Sequence, residues 1–123
     1  MSKLEKIFSE YNRLPEYLEL PIDSVNSKSH FGNYPLNIAS AQGNIEYIHL
    51  LEMNGAILNN QGEHGYSPLH DAIEQGHIDA VKILIKLGAD PDIRNDDGET
   101  AIGLAKLLKE DGILEFFDTL SSK

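Results

Sequence analysis

An all-α solenoid built from three helical-pair repeats is the fold this sequence predicts, on three observations. First, residue types recur on a 33-residue lattice: Gly32, Gly65 and Gly98; Ala39, Ala72 and Ala105; Pro35 and Pro68; Leu36, Leu69 and Ile102; Asn26, Asn59 and Asp92. A fixed period of this length is the signature of stacked supersecondary units. Second, each period holds two short apolar stripes at helical spacing, separated by glycine. Third, neither stripe is broad enough to form a core by itself. Each unit must bury its face on the next, so at least about three are needed for a stable stack.

The elements follow in order. Residues 1–22 do not match the lattice and read as an N-terminal helical cap, a degenerate first unit, with a docking helix as the alternative. Leu4, Ile7, Phe8 and Tyr11 have helical spacing there, and Pro15 and Pro21 bracket a short second helix over 16–20. Repeat one spans residues 30–62, repeat two 63–95, and repeat three with the C-terminal cap 96–123. Ser67 and Thr100 suit a helix N-cap, where a hydroxyl accepts from an orphan backbone N–H. Pro35 and Pro68 follow at the first helical position, where the missing donor is harmless. Leu36 with Ala39, and Leu69 with Ala72, share one face, and the small alanine admits a neighbouring helix. Gly43 and Gly76 end the first helices and Gly55 and Gly88 the second. The second helices carry the stripes Ile45, Ile48, Leu51 and Ile78, Val81, Leu84, Ile85.

The last copy departs most. Ala101 stands in the proline position, Gly103 in the position of His70, and about three extra residues are expected around Lys109, Glu110 and Asp111, lengthening the first helix of that unit. Its final helix carries Ile113, Leu114, Phe117 and Leu120, with Phe116 or Phe117 left partly exposed. In the first copy Asn37 stands for the histidine and Tyr34 for the capping hydroxyl. Both changes are expected to weaken local hydrogen bonding there.

Gly65, Ser67, Pro68, Leu69, His70, Ala72, Gly76 and His77, followed by Gly88, Ala89, Asp90 and Asp92, resemble the ankyrin repeat. The resemblance runs over about residues 23 to 120. It implies a module that binds proteins through a concave face of loop tips and first helices. It also implies that His70 and His77 are structural, the His70 ring bonding the backbone of the adjoining loop. On this chain the matching surface positions are His30, Phe31, Asn33 and Gln42 in the first copy, with Lys28 and Ala41 beside them. The second copy offers Glu63, His64, Tyr66, Glu74 and Gln75, with Gln61. The third offers Arg94, Asp96, Asp97 and Glu99, with Leu107.

Composition narrows the function. Twenty acids against ten bases give a formal net charge of -10, which repels nucleic acid and anionic membranes and attracts basic partners. With 41% hydrophobic residues the chain is not a disordered acidic tail. There is no cysteine, hence no disulfide framework, thiol nucleophile or Cys-based zinc site. The N-terminus lacks a signal-like apolar run, and no stretch reaches the roughly 18 to 20 apolar residues of a membrane span. A cytoplasmic protein, monomeric when free, is expected.

Catalysis finds no support. His70 beside Asp71 is the one pair with the look of a general base. The glycines are spread on the period instead of bunched around a phosphate. The 95–99 stretch lacks the twelve-residue ligand series of a calcium loop and reads as a turn around Gly98. No cofactor, metal or enzymatic activity is expected.

The acidic set Glu63, Asp71, Glu74, Asp92, Asp96, Asp97 and Glu99, with the aromatics Phe31, Tyr34 and Tyr66, is therefore the candidate binding surface. The overall layout resembles small stand-alone ankyrin proteins of bacteria, some of which are immunity proteins of polymorphic toxins. That resemblance implies an inhibitor gripping a basic antibacterial toxin domain. The alternative is a generic scaffold or adaptor for host proteins.

Overall fold

The computed structural model describes residues 2–121. The helices are α1 (Lys3–Tyr11), α2 (Pro35–Gln42), α3 (Ile45–Met53), α4 (Pro68–Glu74), α5 (Ile78–Leu87), α6 (Ala101–Leu107) and α7 (Asp111–Ser121). Single 3-10 turns occupy Pro15–Tyr17 and Glu63–Gly65, and there is no strand among the described residues. The helices stand in two rows. The first helices α2, α4 and α6 pack side by side, and the second helices α3, α5 and α7 pack behind them. α1 packs on α3 and so extends the second row.

The lattice positions fill the seam between rows. Leu36 and Leu69 are 1% exposed, while Ala39, Ala72, Ala105, Ile48, Val81, Leu51 and Leu84 are fully buried. The alanines explain the closeness of the first row: a larger side chain there would hold the neighbouring helix away. Phe117 occupies the position of Leu51 and Leu84 and is buried, whereas Phe116 is half-buried beneath the Lys82 ammonium, 5.8 Å from its ring centroid. Ile102 sits at the position of Leu36 and Leu69 but is 37% exposed, because among the described residues no first-row helix lies beyond α6.

Ties between units keep the same stagger. The Asn26 side chain accepts from the Ile57 N–H at 2.9 Å, and Asn59 accepts from Asp90 N–H at 2.9 Å, one period later. Asn33 Oδ1 accepts from the Glu63 N–H, and the His64 carbonyl from the Asp96 N–H, each at 3.0 Å.

The N-terminal segment is held by side chains. Ser2 and Glu5 form a reciprocal capping box at the start of α1. Ile7 and Tyr11 are buried, and the Tyr11 hydroxyl donates to Gln42 Oε1 at 2.8 Å. The short helix expected over 16–20 does not form; the backbone makes only the turn Pro15–Tyr17. Tyr17 is buried and its hydroxyl donates to the Ser27 and Asn33 carbonyls, which anchors the turn. Leu18 and Leu20 remain 66% and 46% exposed, so a further helical turn would have no face to bury.

The last unit corrects a second expectation. There is no insertion near residue 109, and α6 has the same length as α4. Lys109 takes the place of Gly43 and Gly76 in the turn between helices, with φ of 57° against 68° and 72°. The backbone bond that follows is repeated in all three units: Asn44 N–H to Ala39, His77 N–H to Ala72, and Glu110 N–H to Ala105, at 2.9 to 3.0 Å. Glycine is doubly required at Gly43, while at Gly76 the near neighbour is only the movable end of a side chain. A Cβ on Gly43 would lie 2.6 Å from the His77 ring, and one on Gly76 3.0 Å from Glu110. Beyond Lys109 no unit follows among the described residues, so only the left-handed strain remains. The extra length of the last unit lies in α7, eleven residues against ten in α5 and nine in α3. Replacing Lys109 by glycine should therefore raise stability by roughly 0.5 to 1 kcal/mol, read as a higher denaturation midpoint at unchanged slope.

Candidate functional site

The site is built on two side chains that start the first helices. Ser67 is the N-cap of α4, and His70, 1% exposed, folds back over it. His70 Nδ1 accepts from the Ser67 N–H at 3.2 Å and lies 2.8 Å from Ser67 Oγ. That bond fixes the neutral tautomer with the proton on Nε2, which donates to the Glu99 carbonyl at 2.8 Å. Burial lowers the His70 pKa, against the raising effect of its bond to Glu99. The ring therefore ties the α4 cap to the next loop and is not free to move a proton, as the resemblance implied.

Asn37 repeats this arrangement in the first unit. Its Oδ1 accepts from the Tyr34 N–H at 3.2 Å and its Nδ2 donates to the Tyr66 carbonyl at 3.1 Å, the positions of Ser67 and Glu99 one period earlier. The expected weakening at this position is thus corrected: a carboxamide supplies one acceptor and one donor in the places where the imidazole does. The loss is confined to Tyr34, which makes no side-chain cap bond.

Asn37 adds a bond that histidine does not make. Its Nδ2 also donates to Asp71 Oδ2 at 2.9 Å, linking α2 to α4. Asp71 is partly buried, and its pKa is pushed up to about 8. Burial is the leading cause; the Asn37 bond opposes it, and the like charges of Glu74, Glu63 and Glu16 reinforce it. Sequence neighbours they are, but Asp71 and His70 face different partners, so no His–Asp pair is formed.

Around Asp71 the structure gathers part of the anticipated surface. Tyr66 lies over this region, its hydroxyl donating to Glu74 Oε2 at 2.7 Å and its ring tilted 5.5 Å from that of His70. Burial raises the Tyr66 pKa, helped by the Glu74 bond and by Glu99 and Asp71. Glu63 and His64 form the tip itself; His64 is left-handed with φ of 61°, and its Nε2 lies 3.5 Å from Glu63 Oε1. Asn33 sits between units, its Nδ2 donating to Glu16 Oε1 at 3.2 Å.

Other candidates serve the scaffold or stand apart. Gln42 accepts from Tyr11 at its own end of α2. Arg94 donates to the Gly98 carbonyl at 2.8 Å, and Glu99 accepts from Asn95 Nδ2 at 3.0 Å, both closing the third loop. His30 is exposed, 3.6 Å from Glu19. Phe31 is 52% exposed, and Gln75, Asp96 and Asp97 are exposed. Asp92 belongs to the lattice of Asn26 and Asn59, and its N–H bonds Asp90 Oδ1 at 2.9 Å. Two further members, Asn37 and Glu16, were not anticipated as site residues. Glu16 lies in a segment without a repeat pattern, so no lattice position announced it.

A family model for ankyrin repeats, in three copies, matches residues 9–95. The chain belongs to the ankyrin repeat family. The match begins inside α1 and stops before α6, where Ala101, Gly103 and Lys109 depart from the motif while the fold continues. A search of the curated proteins returned no match. Ankyrin repeats are protein-interaction modules, and the family is a non-enzymatic scaffold. Among the described residues no helix is long and apolar enough to cross a membrane.

Asp71 makes the stability of this ankyrin stack depend on pH. The folded chain holds a proton that the unfolded chain releases near the ordinary carboxyl value of 3.8. The contribution is full below that value and is lost as pH rises through about 8. His70 acts oppositely, costing stability only as pH falls below its ordinary range. Between pH 6.5 and 8, stability should fall in the native protein by at most roughly 1.4 kcal/mol per pH unit, and it should level off above about 8. Asp71→Asn should flatten that slope in urea melts.

Proposed function

We propose that this ankyrin protein binds and blocks a basic protein, and that its target is an antibacterial toxin domain, as for an immunity protein. The observation that carries the reading is the acidic face of the second unit. Glu16, Glu63 and Glu74 act together on the Asp71 carboxyl, and each charge acting on it is negative. A net charge of -10 sets the long-range field in the same sense. Such a face attracts a cationic cleft and speeds its approach.

The scaffold suits inhibition. The tips are already fixed by backbone and Asn33, Asn37 and His70 bonds, so little conformational entropy is lost on docking. Tyr66, held by Glu74, supplies a large aromatic surface whose polar end is satisfied. The toxin assignment itself rests on the likeness of the repeat sequence to bacterial ankyrin proteins, an argument by analogy.

The test is to read the neighbouring genes, co-express this chain with any secretion-linked toxic C-terminal domain found there, and measure binding kinetics on the purified pair. Growth should be rescued, and Glu63→Lys with Glu74→Lys should slow association by about one to three orders of magnitude and flatten its salt dependence. Unchanged kinetics would remove the charged-face reading. Capture of only a neutral endogenous protein would favour a scaffold role instead.

A further inference from the structure

The apolar seam that joins the units runs on to the outer side of the last one. Ile102, Leu114 and Phe117 stand on the 33-residue lattice at the positions of Leu69, Val81 and Leu84, which are buried in the middle unit. At the end of the stack they line a concavity of about 330 Å³ together with Lys106, Asp118 and Ser121. We infer that this end face is a self-association surface, across which two copies of the chain join tail to tail as a symmetric dimer. This departs from the monomeric state expected of the free chain. Pairing here is independent of what the acidic face binds.

The residues of the end face are not those of a finished cap. A terminal unit of a solenoid shows water a polar outer face. Here Ile102 stays 37% exposed and Leu114 is only partly covered. At the end of α6, Leu107 and Leu108 stand where the middle unit has Glu74 and Gln75, and Leu107 is 65% exposed. Leu120 of α7 is exposed as well. Apolar side chains gathered in this way mark an interaction site more often than they mark plain surface.

Three observations make a second copy the occupant. The face continues an interface the chain already forms, since α6 rests on α4 and α7 on α5 through the same lattice positions. A helical pair of this chain is thus a shape the pattern fits. The opposite end of the stack does not supply the mate. There Ile7, Tyr11 and Tyr17 are buried, and the Tyr17 hydroxyl donates to the Ser27 and Asn33 carbonyls. Ser40, at the lattice position of Lys106, is fully buried at that end. Head-to-tail stacking into a filament is therefore disfavoured. Finally, the face carries one charge of each sign, Lys106 on α6 and Asp118 on α7. A two-fold axis parallel to the helices sets α6 of each copy against α7 of the other. It brings each Lys106 toward Asp118 of the second copy, the self-complementarity that an isologous contact requires.

The contact is small. With eleven residues α7 is about 16 Å long, and two helices side by side are about 20 Å wide. That outline lies at the low end of specific interfaces, so the dimer is weak and forms only with concentration. Each copy also carries a net charge of -10, which opposes pairing at low salt. Salt therefore strengthens this contact, whereas it weakens docking of a basic protein on the acidic face.

The experiment is sedimentation equilibrium on the full chain from about 10 µM to 2 mM. The mass should rise from 13.7 kDa toward twice that value and no further. Half-association should fall at roughly 0.1 to 1 mM, and raising sodium chloride from about 20 to 300 mM should tighten it severalfold. On dilution, NMR shifts should move at Ile102, Lys106 and Leu114 and stay still at Tyr66 and Glu74. Ile102→Glu and Leu120→Glu, each at an exposed position, should keep the native circular dichroism and stay monomeric throughout.

A native chain that remains at 13.7 kDa to the highest concentration would overturn the inference. So would growth past the dimer, the mark of head-to-tail stacking, or dilution shifts confined to the concave face or to α1. Folded Ile102→Glu and Leu120→Glu chains that still dimerise like the native one would overturn it too.

Discussion

The stack depends on one constraint: no helix pair in it can bury its own apolar face. Leu69, Ala72, Val81 and Leu84 disappear from water only because α2 with α3 lies on one side and α6 with α7 on the other. Burial of this kind is the main favourable term in folding, and here it is available only between units. The 33-residue stagger follows, since each unit must present equivalent positions to its neighbour. The Asn26 and Asn59 ties, the Asn33 and His64 ties, and the approach of His77 to Gly43 express the same spacing in polar and steric terms.

The candidate site is a by-product of that stagger. Fixing the first helices edge to edge brings position 37 of one unit against position 71 of the next. In this chain those positions hold a carboxamide and a carboxylate. The carboxamide does the structural task of the motif histidine and has a second hydrogen left over for Asp71. A side chain that serves the fold thereby sets the chemistry of the surface. The surrounding glutamates come from three different segments, so the stack, and not any single helix, assembles the charge.

Much of this was legible in the residues. Proline and alanine positions located the first helices, the capping hydroxyls located their starts, and the acidic second unit named Glu63, Tyr66 and Glu74 together. What failed to show had physical reasons. The 16–20 segment has helical composition but no face to pack, so only a turn forms. Lys109 hides a repeat position because a non-glycine residue occupies a left-handed turn after which no further unit follows among the described residues. Asn37 looked like a loss because the motif is written in residue types, whereas the structure needs only an acceptor and a donor at fixed places. Glu16 joins the site through tertiary folding of a segment with no period, and the lattice carries no information about it.

The most direct test of the shared seam is native-state amide exchange on the native chain and on Leu69→Ala, which opens the seam in the middle unit alone. Leu69 is 1% exposed, and its truncation should cost about 2 to 5 kcal/mol. If the units lean on one another, protection in α2, α4 and α6 should fall together by a common factor. Protection lost in α4 and α5 while α2 or α6 keeps its native exchange rates would contradict the account.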